Sequence, residues 1–172
     1  MTKTLKGRVM VFGDNIDTDM ITPGRYLELS KPEEIAAVAM AGLDPDFPKK
    51  VKKGDIIIGG KNFGCGSSRE HGVIAFKANG VQAIVAKSIA KIYYRNAIVS
   101  GLMVLISEEA HTIFENYQHC EIDLENGNII NTDTGKSVKC EKLSTEDIAI
   151  WEAGGMVTEY KRKAQEINRN SK

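Results

Sequence analysis

From residue 55 to residue 107 the chain alternates between short unbroken apolar runs and stretches with helical spacing. "DIIIGG" (55–60), "VQAIVA" (81–86) and "LMVLIS" (102–107) are bounded by turn residues and rich in β-branched side chains, which predicts buried strands. Between them, "REHGVIAFKANG" spaces Val73, Ile74, Phe76 and Lys77 over a helix that stops at Gly80. "SIAKIYYRNAIVSG" (88–101) reads as a second helix, closed by glycine. Strand, helix, strand, helix, strand at short spacing predicts a parallel α/β core. Upstream, "GRVMVF" (7–12) is a further strand and "GDNIDTDMITPGRY" (13–26) a long polar loop. Ser30, with Glu33 three residues on, predicts a capping box for an Ala-rich helix ending near Gly42, followed by a proline-broken connection over 44–54.

The pattern changes in the last third. Residues 119–132 and 136–140 predict strands, with hairpin chemistry at Asn126-Gly127 and at "DTG". "STEDIAIWEAGG" (144–155) is a capped helix ending in glycines, and residues 158–172 read as a charged, solvated C-terminal tail. No internal repeat is present. The expected organisation is one α/β domain over residues 1–172, with a β-rich annex.

At 172 residues and 42% hydrophobic content the chain is long enough for one real core. Lys+Arg and Asp+Glu balance at 23 each, which argues against nucleic acid as a partner, because phosphate binding usually appears as a basic surplus. No apolar run approaches the roughly 18 residues of a membrane span, and "MTKTLKGRVMVFGD" lacks a signal-peptide core. The expectation is a cytoplasmic protein without membrane contact. Cys65, Cys120 and Cys140 are widely spaced, with no CxxC pair and no Cys/His grouping. Free thiols, no metal and no cofactor held by this chain are therefore expected.

The densest chemistry lies in "NFGCGSSREH" (62–71). Gly64 and Gly66 permit positive φ and close backbone approach to a ligand. The pattern puts a helix start near Ser67 or Ser68, where free N–H groups and a positive partial charge attract anions. The two hydroxyls lie at that spot, and Arg69 adds a fork matched to a carboxylate. A first-turn serine is as readily a plain N-cap. A phosphate loop is the other reading, but no GxxxxGK[ST] spacing is present, and no GxSxG elbow either. A small-acid site with a hydroxyl available for proton transfer remains.

"NFGCGSSREH" followed by "GVQAIVAKSIAKIYYRNAIVSGL", together with "GDNIDTDMITPGRYL", closely resembles the small subunits of the isopropylmalate dehydratases in the aconitase superfamily. The likeness runs in order through most of residues 5–110. It implies a single swivelling β/β/α domain as in the aconitase C-terminal domain, working in leucine biosynthesis. It also implies a large-subunit partner carrying a [4Fe–4S] cluster and a small branched hydroxy-diacid substrate; self-association of the isolated chain is left open. The implied chemistry is dehydration and rehydration through an enoic acid. In that scheme Ser67 is the base, Ser68 and Arg69 bind the substrate, and Asp19, Thr22 and Thr18 complete the site. A serine is a poor base in water and serves only where its alkoxide is stabilised in a closed site. His71 reads more readily as packing than as a reacting group. Arg95 and Asn96 are weak candidates to brace the serine loop.

By the same resemblance, the segment after "PGR" shapes the pocket for the variable end of the substrate: Tyr26, Leu27, Glu28 and Leu29. Homoaconitase-like members place an arginine where this chain has Glu28. A glutamate there repels an extra carboxylate, while the leucines suit an isopropyl group worth roughly 1.5–3 kcal/mol when buried. Dehydratases of 2,3-dimethylmalate, citramalate or homoaconitate are the near alternatives. A non-catalytic small-acid-binding or assembly module is the alternative from another class.

Overall fold

The computed structural model describes residues 3–171. Its strands are β1 (Thr4–Val11), β2 (Ile56–Gly59), β3 (Ala83–Ala86), β4 (Met103–Ile106), β5 (His119–Asp123), β6 (Asn128–Asn131) and β7 (Ser137–Lys139). Its helices are α1 (Thr18–Ile21), α2 (Pro32–Ala37), α3 (Phe47–Lys50), α4 (His71–Ala78), α5 (Lys91–Ser100), α6 (Ala110–Ile113), α7 (Thr145–Ala153) and α8 (Met156–Asn170).

The strands form one seven-stranded sheet in the order β4-β3-β2-β1-β5-β6-β7. The first four are parallel; β5, β6 and β7 continue the sheet antiparallel as the annex. This is the expected α/β class, a curled sheet with helices on its faces. The parallel strands are buried on both faces, so their sequences are continuous apolar runs rather than alternating ones. Ile57, Ile84 and Val104 point into one core layer with Phe47, Phe63, Phe76 and Tyr93. Ile56, Ile58, Val85 and Leu105 point into the other with Ile122, Ile129 and Ile148. An ion pair ties the edges of β1 and β2: Arg8 donates to Asp55 through Nε at 3.2 Å and Nη2 at 2.6 Å, and Lys52 N donates to the same carboxylate at 2.8 Å.

Several expected boundaries move. The capping box does not form: α2 begins at Pro32, capped by Lys31 with no side-chain bond, and ends at Ala37. Proline at the first helical position already supplies the right φ and needs no donor partner. The polar loop 13–26 contains α1, capped by the Asp17 carboxylate, and a 3-10 turn over Gly24–Tyr26. Short α3 sits in the proline-broken connection, and α6 was not anticipated. The second crossover helix starts at Lys91 rather than at 88. The segment read as a solvated tail is a fifteen-residue helix, α8.

Candidate functional site

Parallel strands leave their ligand crevice at their carboxyl ends, and here three adjacent strands send their loops there. Residues 12–17 follow β1, 60–70 follow β2 and 87–90 follow β3. The loops are stitched together by backbone bonds. Gly64 N donates to Ile16 O at 2.7 Å, Thr18 N to Cys65 O at 2.9 Å, Phe63 N to Ser88 O at 3.0 Å and Ala90 N to Phe63 O at 2.9 Å. Gly64 and Gly66 both have positive φ, 75° and 98°. A Cβ on Gly64 would also run into the Tyr93 side chain, so glycine is required there twice over.

The result is a cleft of about 360 Å³ whose lining includes Thr18, Ser67, Ser68, Arg69, Lys91 and Asn96. Ser67 and Ser68 are exposed in it. They do not cap a helix: α4 begins at His71, so the serines sit in the preceding loop. Gly64 and Gly66 hold positive φ, which a right-handed helix cannot contain. No hydrogen bond within the described residues engages either hydroxyl or the backbone N–H groups of residues 66–70. A run of free N–H groups beside two hydroxyls is a donor-rich setting for a carboxylate or an oxyanion.

The helix start that does face this cleft belongs to α5, through Ala90, Lys91 and Ile92. Sequence reading missed Lys91. The available signal was its position just past a β3 carboxyl end, where such loops bind ligands.

Arg69 is the hinge of the site. Its Nη1 forms a very short ion pair with the Asp19 carboxylate and donates to Thr22 O at 3.3 Å. Asp19 is exposed and Arg69 mostly buried. Thr18 is buried at 3% exposure, with its side chain at the cleft. Thr22 is fully buried, and its Oγ1 has no partner among the described residues. Ser67, Ser68, Arg69 and Thr18 thus share one cleft, with Asp19 and Thr22 joined to it through Arg69.

Tyr26, Leu27, Glu28 and Leu29 do not line the cleft. They flank it, anchored where His71 Nε2 meets Leu29 O at 2.8 Å. His71 is therefore a tether for that segment, beyond simple packing. Tyr93 is buried in the core and donates from its hydroxyl to Gly72 O at 2.9 Å; burial pushes its phenol pKa well up. Asn96 lines the cleft, but Arg95 turns to a different groove and does not brace the serine loop. Burial raises the Cys140 thiol and pushes Cys120 up to about 12, so both are inert as nucleophiles. Among the described residues no three His, Cys, Asp or Glu side chains gather as a metal site, and no helix is long and apolar enough to cross a membrane.

Fold and cleft together define an α/β domain that gathers a serine-bearing loop into a donor-rich cleft. Residues 10–110 match the family described as the aconitase C-terminal domain, and the chain belongs to that family. Its relatives of matching length include proteins named as dehydratase, isomerase and homoaconitase small subunits. It is 48% identical over 163 residues to the "3-isopropylmalate dehydratase small subunit 1" of Methanopyrus kandleri, covering 95% of this chain and 96% of that one. It is 49% identical to the "Isopropylmalate/citramalate isomerase small subunit" of Methanocaldococcus jannaschii, covering 96% and 99%. The "Methanogen homoaconitase small subunit" of the same organism is 47% identical, with 92% of each covered. A crystal structure described as 3-isopropylmalate dehydratase from M. jannaschii superposes with a TM-score of 0.91 at 45% identity, covering 98% of this chain and 99% of that one.

Proposed function

We propose that this chain is the small subunit of a hydro-lyase that interconverts 2-isopropylmalate and 3-isopropylmalate. It provides the serine base and the carboxylate-binding residues to a large subunit that holds a [4Fe–4S] cluster. One observation carries this reading: both serines, Arg69 and the stretch 66–69, whose backbone N–H groups are free of internal bonds, line one cleft at the carboxyl ends of three parallel strands.

Ser67 Oγ, as the alkoxide, takes the proton from the carbon next to the carbinol and keeps it as its own hydroxyl; the C–H pair forms the double bond, and the neighbouring C–O bond breaks to release the hydroxyl with its electron pair, leaving an enoic acid. Returning the proton and hydroxyl with their positions exchanged gives the isomer. The loop N–H groups and the Arg69 charge stabilise the Ser67 alkoxide, since among the described residues no side-chain base is hydrogen-bonded to Ser67. Arg69 and Ser68 hold a substrate carboxylate, and the pairing of Arg69 with Asp19 fixes the orientation of the fork. Thr18 adds a hydroxyl at the cleft wall. The cluster, when bound on the large subunit, supplies Lewis acidity toward the substrate hydroxyl.

Isopropylmalate is the preferred substrate on the reading that Tyr26–Leu29, beside the cleft, meets the variable end of the substrate, where exposed Leu27 suits an alkyl group and Glu28 repels an extra carboxylate. Relatives named for isopropylmalate, citramalate and homoaconitate chemistry keep the neighbouring malate derivatives in the panel. The test is co-expression with a cluster-bearing large subunit, anaerobic reconstitution, and enoic-acid absorbance across that panel. Turnover only in the two-subunit sample, fastest on isopropylmalate, is expected. Stoichiometric iron and sulfide on the purified small chain alone would overturn the two-subunit reading.

A further inference from the structure

Helix α8 turns its apolar side away from the protein it belongs to. Its first residue, Met156, packs on the core, while Glu159, 1% exposed, is covered from within the helix. Arg162 holds Glu159 with bonds of 2.9 and 2.8 Å, and Lys163 lies 3.5 Å from the same carboxylate. From Tyr160 to Ser171 every residue is exposed. Val157, Tyr160, Ala164 and Ile167 recur at intervals of three and four, so they form one stripe along a helix about 22 Å long. Val157 and Ile167 are each 65% exposed and Tyr160 52%. An apolar row of this length on a polar helix marks an interface.

Charge decides the occupant. On a heptad count the residues flanking the stripe include Lys161 and Lys163 and no acid. Two α8 helices packed directly on each other would bring lysines together. The body of the same chain carries the complement, a groove of about 270 Å³ between α5 and α7. Tyr94, Val99, Ile150 and Met156 form its apolar floor, Glu146 and Asp147 stand at its rim, and Arg95 lies at its edge. Met156 is also the first residue of α8, so the root of the projecting helix borders the groove that would receive another. A reciprocal exchange of that kind closes on itself with two-fold symmetry.

We propose that α8 is a dimerisation arm, seated by its apolar stripe in the α5–α7 groove of a second copy of this chain. The isolated full chain, followed by light scattering and sedimentation over a wide dilution series, is expected to run as a dimer that dissociates on dilution. Tyr160→Glu and Ile167→Glu each raise the dissociation constant by roughly tenfold or more, the scale of a lost interface anchor. Circular dichroism should show unchanged helix content, since both side chains are exposed. A charge exchange tests the groove. Lys161→Glu in one chain and Glu146→Lys with Asp147→Lys in another each weaken self-association, and mixing the two restores a dimer. A parent chain that stays monomeric throughout overturns the proposal, as does a dimer indifferent to the stripe substitutions or a mixture that fails to pair. A monomeric parent whose stripe variants lose affinity only for the large subunit would hand this face to that subunit instead.

Discussion

Ser67 and Arg69 carry the predictions that belong to single residues. Ser67→Ala removes a proton acceptor from an exposed loop position that makes no internal hydrogen bond, so folding and subunit association should survive. Turnover of the reconstituted enzyme should fall by about 10²- to 10⁴-fold, the usual span of general-base effects. Activity within a few-fold of the parent would transfer the role, with Ser68 first in line. Arg69→Lys keeps the charge and loses the fork that reaches both Asp19 and the Thr22 carbonyl. Losing a charge-assisted hydrogen bond costs about 1.5–3 kcal/mol, so kcat/KM should drop by roughly 10- to 100-fold. Near-normal kinetics would make Arg69 a structural tie between loops and nothing more. These two residues were legible in the linear motif because glycines, hydroxyls and a guanidinium stand side by side there. Lys91 was less so, since only its position past the carboxyl end of β3 distinguishes it from any exposed helix lysine.

At the scale of elements, the question is how the segment after the 3-10 turn reaches the substrate. Residues 26–29 flank the cleft, and one contact, His71 Nε2 to Leu29 O, ties them to the start of α4. The segment proposed to set specificity is therefore tied to the helix that the serine loop leads into, and on the proposed function a substrate that orders one is expected to order the other. Glu28→Arg should relax or invert the preference for isopropylmalate over homoaconitate, because one change of sign turns repulsion into an ion pair. The ratio of kcat/KM values on the reconstituted parent and variant reads this directly. An unchanged ratio, or a parent already preferring the tricarboxylic acid, means Glu28 does not face the substrate. The expected helix start at the serines illustrates why boundaries mislead. The residues of "GSSRE" suit a first turn, but positive φ at Gly66 and the stitching of Cys65 to Thr18 hold the serines in an irregular loop, and the helix starts only at His71.

For the molecule as a whole, stability depends on keeping β1 and β2 in register at the centre of the sheet. Asp55 is 2% exposed and accepts from Arg8 and from Lys52 N. The carboxylate in turn raises the Arg8 pKa, chiefly through the hydrogen bond. Asp55→Asn leaves a mostly buried guanidinium without its counter-charge. Breaking a fully buried pair costs about 3–5 kcal/mol; with Arg8 partly open to solvent, about 2–3 kcal/mol is expected. Urea unfolding of the parent and variant at neutral pH measures it, and a change below about 0.5 kcal/mol, the level of an ordinary surface substitution, would show the pair to be dispensable.

The sequence by itself determined the parallel core and the chemical content of the cleft. Both are local properties: an apolar run of strand length between turn residues has few ways to be satisfied, and a loop such as "NFGCGSSREH" declares its donors and its backbone freedom outright. The tertiary structure alone decided what depends on distant segments meeting. Arg69 finds Asp19 fifty positions away, and α5 rather than α4 points its N-terminus at the serines, because the order β3-β2-β1 sets which loops are neighbours. The C-terminal residues show the same division. Their lysines read as solvated in the sequence, and most are, but only once α8 is anchored by Met156 does one face of it become an outward apolar stripe. Periodicity describes a helix; which way its face turns is set by what it packs against.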